Sequence, residues 1–199
     1  VINQGLRKVY ALGVPVTFHV NGDAAIDSLI KAHEFAAADD PTRERNVTAI
    51  HAQFTRKDQI PLYVKYRIRP SFYTLHTYYF SEAHIANRGK AQAMYISPMR
   101  DAIDAGLHPT NHTDAVVAPL DQMFMLWSAV NRISRAGAEI GPDQRVTPLE
   151  GLKAMTIWAA EQYGEQASKG SLEPGKLADM VVLDKNPLEV DEMAIKDIQ

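Results

Sequence analysis

Three short strings, His19-Val-Asn-Gly-Asp23, Ile50-His51-Ala-Gln53 and His112-Thr-Asp114, each set a metal-capable side chain at the end of an apolar run. The runs Gly13–Val20 and Val47–Ala52 are each followed within a few residues by a helical pattern, which gives the chain a βα rhythm. Parallel strands of α/β proteins present functional side chains at their carboxyl ends, where the βα loops gather residues from distant parts of a sequence. His19, His51 and Asp114 fit that position. Imidazole and carboxylate suit a borderline divalent ion such as zinc, and an aspartate beside an activated water can also take its proton. A lone histidine ending a strand is more often a hydrogen-bonded core or surface residue. It is the shared position of the three side chains that predicts one or two divalent ions, zinc foremost.

Composition narrows the setting. With 199 residues, 46% of them apolar, and a formal charge of −3, the chain can bury a real core and has no bias toward nucleic acid or an anionic membrane. Zero cysteines exclude a disulfide framework and a thiolate metal site, so any zinc must be held by nitrogen and oxygen. No apolar stretch approaches the ~20 residues of a membrane span, and Val1-Ile-Asn-Gln-Gly-Leu-Arg-Lys8 has no signal-peptide h-region. A soluble, cytoplasmic protein is expected. The chain opens without Met in what reads as the middle of a helix, which suggests a piece of a longer protein.

Along the chain, Asp23 can cap a helix carried by Ile26, Leu29, Ile30 and His33 and ending near Asp39-Asp40-Pro41. Lys57–Tyr66 offers a short helical segment in which Pro61 is permitted only at the start, and a third strand runs from about Tyr66 to Tyr73. Segment 74–88 is aromatic, carries two histidines and lacks clear periodicity, which suits an active-site loop or a plain surface loop equally. Ser97-Pro98 starts a helix to Ala105, Gly106 stops it, and Leu107 leads into a strand ending at Asp114. Met123, Leu126, Trp127, Val130 and Ile133 form one apolar stripe that reads as core. Thr147-Pro148-Leu149-Glu150 is a capping box opening a helix through Ala160. After a boundary near 169, Gly170–Asp184 reads as turn residues followed by a strand, and Asn186-Pro187 as a further turn.

Taken together, these blocks resemble the amidohydrolase superfamily, in the branch of N-substituted formamide deformylase-like and exoenzyme-regulatory-protein-like hydrolases. The resemblance is carried by the block from His19 to Asp27, Ile50-His51-Ala-Gln53, Pro70-Ser-Phe72 with His76, His112-Thr-Asp-Ala115, Ala129-Val-Asn-Arg132 and Lys169–Asp179. It implies an α/β fold, the C-terminal half of a (β/α)8 TIM-type barrel (strands five to eight) over residues 1–169, with 170–199 forming part of a small composite β-sandwich. It also implies that His19 and His51 are metal ligands after the fifth and sixth barrel strands. Asp114, after the eighth, would contact the metal and shuttle the proton of the attacking water. His76 falls where substrate contacts are expected, with His112 and Tyr79 as further substrate-side candidates. Tyr73, Tyr78 and Phe80 join Tyr79 as walls of an apolar pocket, although core packing explains them equally well. The chain departs from the family at Ile50, where many relatives have Glu, and at Phe80-Ser81 in place of Trp-Gly.

The His-x-His pair of the first barrel strand is absent from the 199 residues. The expected activity is therefore that of a parent molecule: hydrolysis of a non-peptide carbon–nitrogen bond in a small-molecule amide, N-substituted formamide or cyclic amide. The alternative is a non-catalytic fragment or regulatory domain that keeps the fold. Half a barrel exposes strand edges that seek partners, so a homo-oligomer or association with an N-terminal half is expected.

Overall fold

The computed structural model describes residues 2–199. Its centre is a parallel sheet in the order β1 (Val16–Val20), β2 (Val47–His51), β3 (Ile68–Phe72), β4 (Thr110–Asn111). Register aligns Val20, His51, Phe72 and Asn111 in one row at the carboxyl end. Each crossover is helical. The helix α1 (Ile2–Ala11) precedes β1, α2 (Asp23–Ala36) joins β1 to β2, and α3 (Ile60–Tyr66) joins β2 to β3. Between β3 and β4 lie α4 (His76–Tyr79), α5 (Ser81–Arg88), α6 (Lys90–Met94) and α7 (Met99–Asp104); α8 (Gln122–Asn131), α9 (Pro148–Met155) and α10 (Ile157–Gln162) follow. The main core forms where Val20, Val47, Ala49, Ile68 and Phe72 of the strands meet Ile26, Leu29 and Ile30 of α2, Tyr63 of α3 and Met99 of α7. Burying each of the Val, Leu, Ile, Met and Phe side chains is worth roughly 1.5–3 kcal/mol, which fixes strand positions beneath the site.

Several expectations are met closely. Pro61 lies in the first turn of α3, and Thr147 and Glu150 close a reciprocal capping box at α9. Arg132 follows α8 in a left-handed conformation at φ 51°. Its fully buried guanidinium donates to the carbonyls of Ile96, Ser97 and Ile140, tying the loops before α7 and after α8 together.

Other expectations are corrected. Asp23 is the first residue of α2 rather than its cap: Gly22 holds that place and makes no side-chain bond. Segment 74–88 is two short helices, not a loop. Its residues pack against different neighbours, Tyr78 on Trp127, Tyr79 on Phe124 and His76 on Tyr73, so no single apolar stripe betrays the helix. The fourth strand ends at Asn111, not Asp114, because the chain makes one more ladder bond, His112 N–H to the Phe72 carbonyl at 3.0 Å, and then turns. Ile133 lies just beyond the end of α8, yet it packs with Met123, Leu126, Trp127 and Val130 in one cluster, as the stripe predicts. The helix from Pro148 breaks at Thr156, whose hydroxyl bonds back to the Leu152 carbonyl. Gly170 passes close by there, and a Cβ on it would lie 2.8 Å from that of Ala160.

The strand expected within 170–184 is absent. Val181 and Val182 are 83% and 94% exposed, and an extended segment without a ladder partner is not a strand. Among the described residues no helix is long and apolar enough to cross a membrane.

Candidate metal centre

The carboxyl end of the sheet gathers His19, His51, His76, His84, His112 and Asp114. His19, near the end of β1, is exposed and paired in register with Ile50. Strict alternation would send His51 to the helix side with Val47 and Ala49, away from His19. It does not, because His51 stands at φ 68° and Ala52 at φ 44°, left-handed values that reverse the side chain's direction at the strand end. The two imidazoles meet edge to face with centroids 4.5 Å apart. A buried histidine and its neighbour held in that region cost ~1–3 kcal/mol each, and such strain clusters at functional sites.

Around His51 stand the rings of His112 at 5.0 Å, His76 at 6.0 Å and Tyr73 at 6.5 Å. His51, His112 and Asp114 each bring a ligand atom within 4.8 Å of the others. Asp114 sits in a left-handed turn at φ 51°, half-buried, and its N–H donates to His112 Nδ1 at 3.2 Å. Thus the structure brings His19, His51, His76, His112 and Asp114 to one end of the sheet. Tyr79 belongs to a neighbouring apolar cluster with Phe124, beside Tyr73, while Tyr78 packs in the core against Trp127.

Burial favours the neutral form of His51, His76 and His112. It lowers His51 below the ordinary histidine range, with His19 adding to the effect and Asp114 opposing it. Burial, reinforced by His51, His84 and the facing His112, takes His76 down to about 2. For His112 burial and His51 outweigh Asp114 and the Ser71 carbonyl, leaving about 4. Tyr73 is raised to about 12, by burial first and then by Tyr79 and Asp114. Neutral imidazole is the form a metal requires. His51 Nδ1, His76 Nδ1, His112 Nε2 and Tyr73 Oη are buried without a hydrogen-bond partner, and each such atom costs ~1–3 kcal/mol. Unpartnered imidazole nitrogens beside a carboxylate, with no thiolate anywhere in the chain, are the donor set a divalent cation fills.

Sequence reasoning passed over one supporting chain. Asn21 Nδ2 donates to Gln53 Oε1 at 3.4 Å, and Gln53 Nε2 lies 2.6 Å from His84 Nε2. This ties the loops after β1 and β2 to α5. The signal was present, since Asn21 and Gln53 each follow a histidine by two residues.

A parallel sheet whose carboxyl end carries clustered histidines and an aspartate defines an α/β protein with a candidate metal site. Comparison with known proteins agrees. The amidohydrolase family profile matches residues 2–199, and the chain belongs to that family. It is 28% identical over 197 residues to the N-substituted formamide deformylase of Arthrobacter pascens, an alignment covering 94% of this chain and 35% of that protein. Protein LONG AFTER FAR-RED 3 of Arabidopsis thaliana is 27% identical over 176 residues, 87% of this chain and 30% of that one. An uncharacterized metal-dependent hydrolase from Pyrococcus furiosus superposes with a TM-score of 0.78 at 25% identity, covering 94% of this chain and 37% of the other. The chain therefore spans about a third of the length of these relatives.

Proposed function

We propose that this chain is the second half of a (β/α)8 barrel, residues 1–169, followed by part of a small β-sandwich over 170–199, in a metal-dependent amidohydrolase that cleaves a non-peptide carbon–nitrogen bond. One observation carries the proposal: buried, neutral, unpartnered imidazoles converge with Asp114 at the carboxyl end of a parallel sheet. The parallel order β1-β2-β3-β4 supports the half-barrel, as does its match to about a third of longer hydrolases. The exposed apolar segment around Val181 and Val182 supports a sheet partner supplied by the rest of the polypeptide or by a second copy.

His19, His51 and Asp114 would hold one or two divalent ions, zinc foremost. A bound ion supplies Lewis acidity for the substrate carbonyl and makes water nucleophilic near neutral pH. Asp114 accepts the proton that the attacking water loses and passes it to the leaving nitrogen as the carbon–nitrogen bond breaks. His76, neutral and buried, contacts the bound substrate, and Tyr79 with Phe80 walls the side where an N-substituent lies. The relative from Arthrobacter pascens, by its name, acts on N-substituted formamides, and the same class of small amide is proposed here.

The test is a screen of the full-length polypeptide against N-formyl amines, hydantoins and cyclic amides, with metal analysis. Hydrolysis that disappears on chelation and returns with zinc is expected. Activity that survives complete metal removal would contradict the proposal.

A further inference from the structure

Gln53 is buried in an apolar setting, directly before Phe54, which packs with Ile96 and Ile140. A buried amide costs free energy unless its ends are bonded, and an apolar side chain of the same length would fill the space without that demand. The amide has two partners, on different elements. Asn21, one residue past β1, donates from Nδ2 to Gln53 Oε1 at 3.4 Å, and Gln53 Nε2 hydrogen-bonds Nε2 of His84, on α5, at 2.6 Å.

The two residues before Gln53 are the strained pair of the site, His51 at φ 68° and Ala52 at φ 44°. Such backbone persists only where the surroundings over-determine it. Here the chain beyond the pair is held from several sides. The Thr55 hydroxyl donates to the Ala52 carbonyl at 2.7 Å, Phe54 N–H donates to the Asn21 carbonyl at 2.9 Å, and the Gln53 carbonyl accepts the Ser97 N–H at 2.8 Å. Ser97 is itself fixed, because the buried Arg132 guanidinium donates to its carbonyl at 3.1 Å. To these ties the Gln53 side chain adds one tether toward β1 and another toward α5.

We infer that Gln53 is a positioning residue: with Asn21 and His84 its amide clamps the left-handed turn at His51–Ala52 and so holds the His51 imidazole against His19. This rests on the metal-site reading above. Gln53 acts through His51, with both of its polar atoms engaged by protein. Once the clamp is released, the turn relaxes toward extended backbone, in which neighbouring side chains alternate between faces, and the His51 ring leaves its place 4.5 Å from that of His19.

The full-length protein tests this through zinc affinity, measured by competition with a chromogenic chelator, and through crystal structures of the zinc-free variants. Gln53→Met keeps the length of the side chain and removes both hydrogen bonds. Its zinc Kd should weaken by about 10–100-fold, the loss usual when a group supporting a metal ligand is removed, and the zinc-free structure should show the His51 ring moved off His19. His84→Phe keeps a ring and cuts one tether. It should weaken zinc less, and the double variant should bind no worse than Gln53→Met, because both changes break one clamp. A Gln53→Met protein that binds zinc within two-fold of wild type overturns the inference, as do losses that simply add, or weakened zinc with His51 still in place; each leaves the metal site standing. If Gln53→Met does not fold, His84→Phe decides by the same two readouts. A wild type that binds no zinc removes the metal reading and the clamp with it.

Discussion

His33 and His51 are both buried histidines in this chain, and they are buried in opposite ways. His33, on α2, has both nitrogens committed: Nε2 donates to the Pro41 carbonyl at 2.7 Å, which leaves Nδ1 to accept from Tyr10 Oη at 2.7 Å. His51, at the end of β2, has a buried Nδ1 that bonds nothing, and so do its neighbours His76 at Nδ1 and His112 at Nε2. One region spends its histidine on holding α1, α2 and the loop at Pro41 together. The other leaves imidazole nitrogens exposed to one another and to Asp114, at a cost that folding alone does not explain. The comparison separates a histidine whose nitrogens serve packing from those whose nitrogens are left unpartnered, although burial is the same. His108, stacked on Trp158 at 5.0 Å and bonded to Glu161, falls on the packing side.

Substitutions in the two regions should therefore fail in different currencies. The largest effect is expected at Asp114→Asn, which keeps the side-chain shape and removes its basicity. Turnover should fall by ~10²–10⁴-fold with most of the metal retained, as read by kcat and metal analysis; a variant within a few-fold of wild type would move proton transfer to another group. In the packing region His33→Ala should leave metal stoichiometry and kcat unchanged but cost ~2–4 kcal/mol of stability, since it opens a cavity and strands the Tyr10 hydroxyl. Urea unfolding measures that loss, and bound zinc falling in step with it would erase the distinction.

A smaller effect lies in pH. His33 is held below the ordinary histidine value, by burial first and then by Arg45, against the pull of the Pro41 carbonyl and Glu34. Tyr10 and Tyr66 complete its surroundings. The unfolded chain then binds a proton more readily than the folded one, so the stability this site contributes is full above about pH 6.5 and is lost as pH falls below it. His33→Gln should flatten that part of the dependence; an unchanged slope in urea midpoints between pH 7.5 and 5 would show that His33 is not its source. Smallest of all, Thr147→Ala removes the capping box of α9 and should cost ~1 kcal/mol while leaving both histidine regions intact, a control for general loss of stability.

Much of this was legible in the residues. Apolar runs ending in His19 and His51 located the first two strands, and Pro61, Gly106 and the Thr147–Glu150 box marked helix boundaries that the structure reproduces. What was not legible was set by long-range contacts. Period-two alternation cannot foresee that φ 68° at His51 turns its ring toward His19. The helices over 76–88 were hidden because their aromatic residues answer to several separate partners. The strand expected before Asp184 had the right residues, but a strand requires a neighbour, and among the described residues it has none. His33 read as one more position on the α2 stripe, which is how it packs; nothing local told it apart from His51.

The central claim, that the unpartnered histidines beside Asp114 form a metal site and the satisfied one does not, is tested most directly by zinc stoichiometry. Full-length wild type, His51→Ala and His33→Gln should be purified in parallel, loaded with zinc, desalted and analysed by mass spectrometry of the metal. The account predicts bound zinc in wild type and His33→Gln and its loss in folded His51→Ala. Equal zinc in wild type and His51→Ala would contradict it.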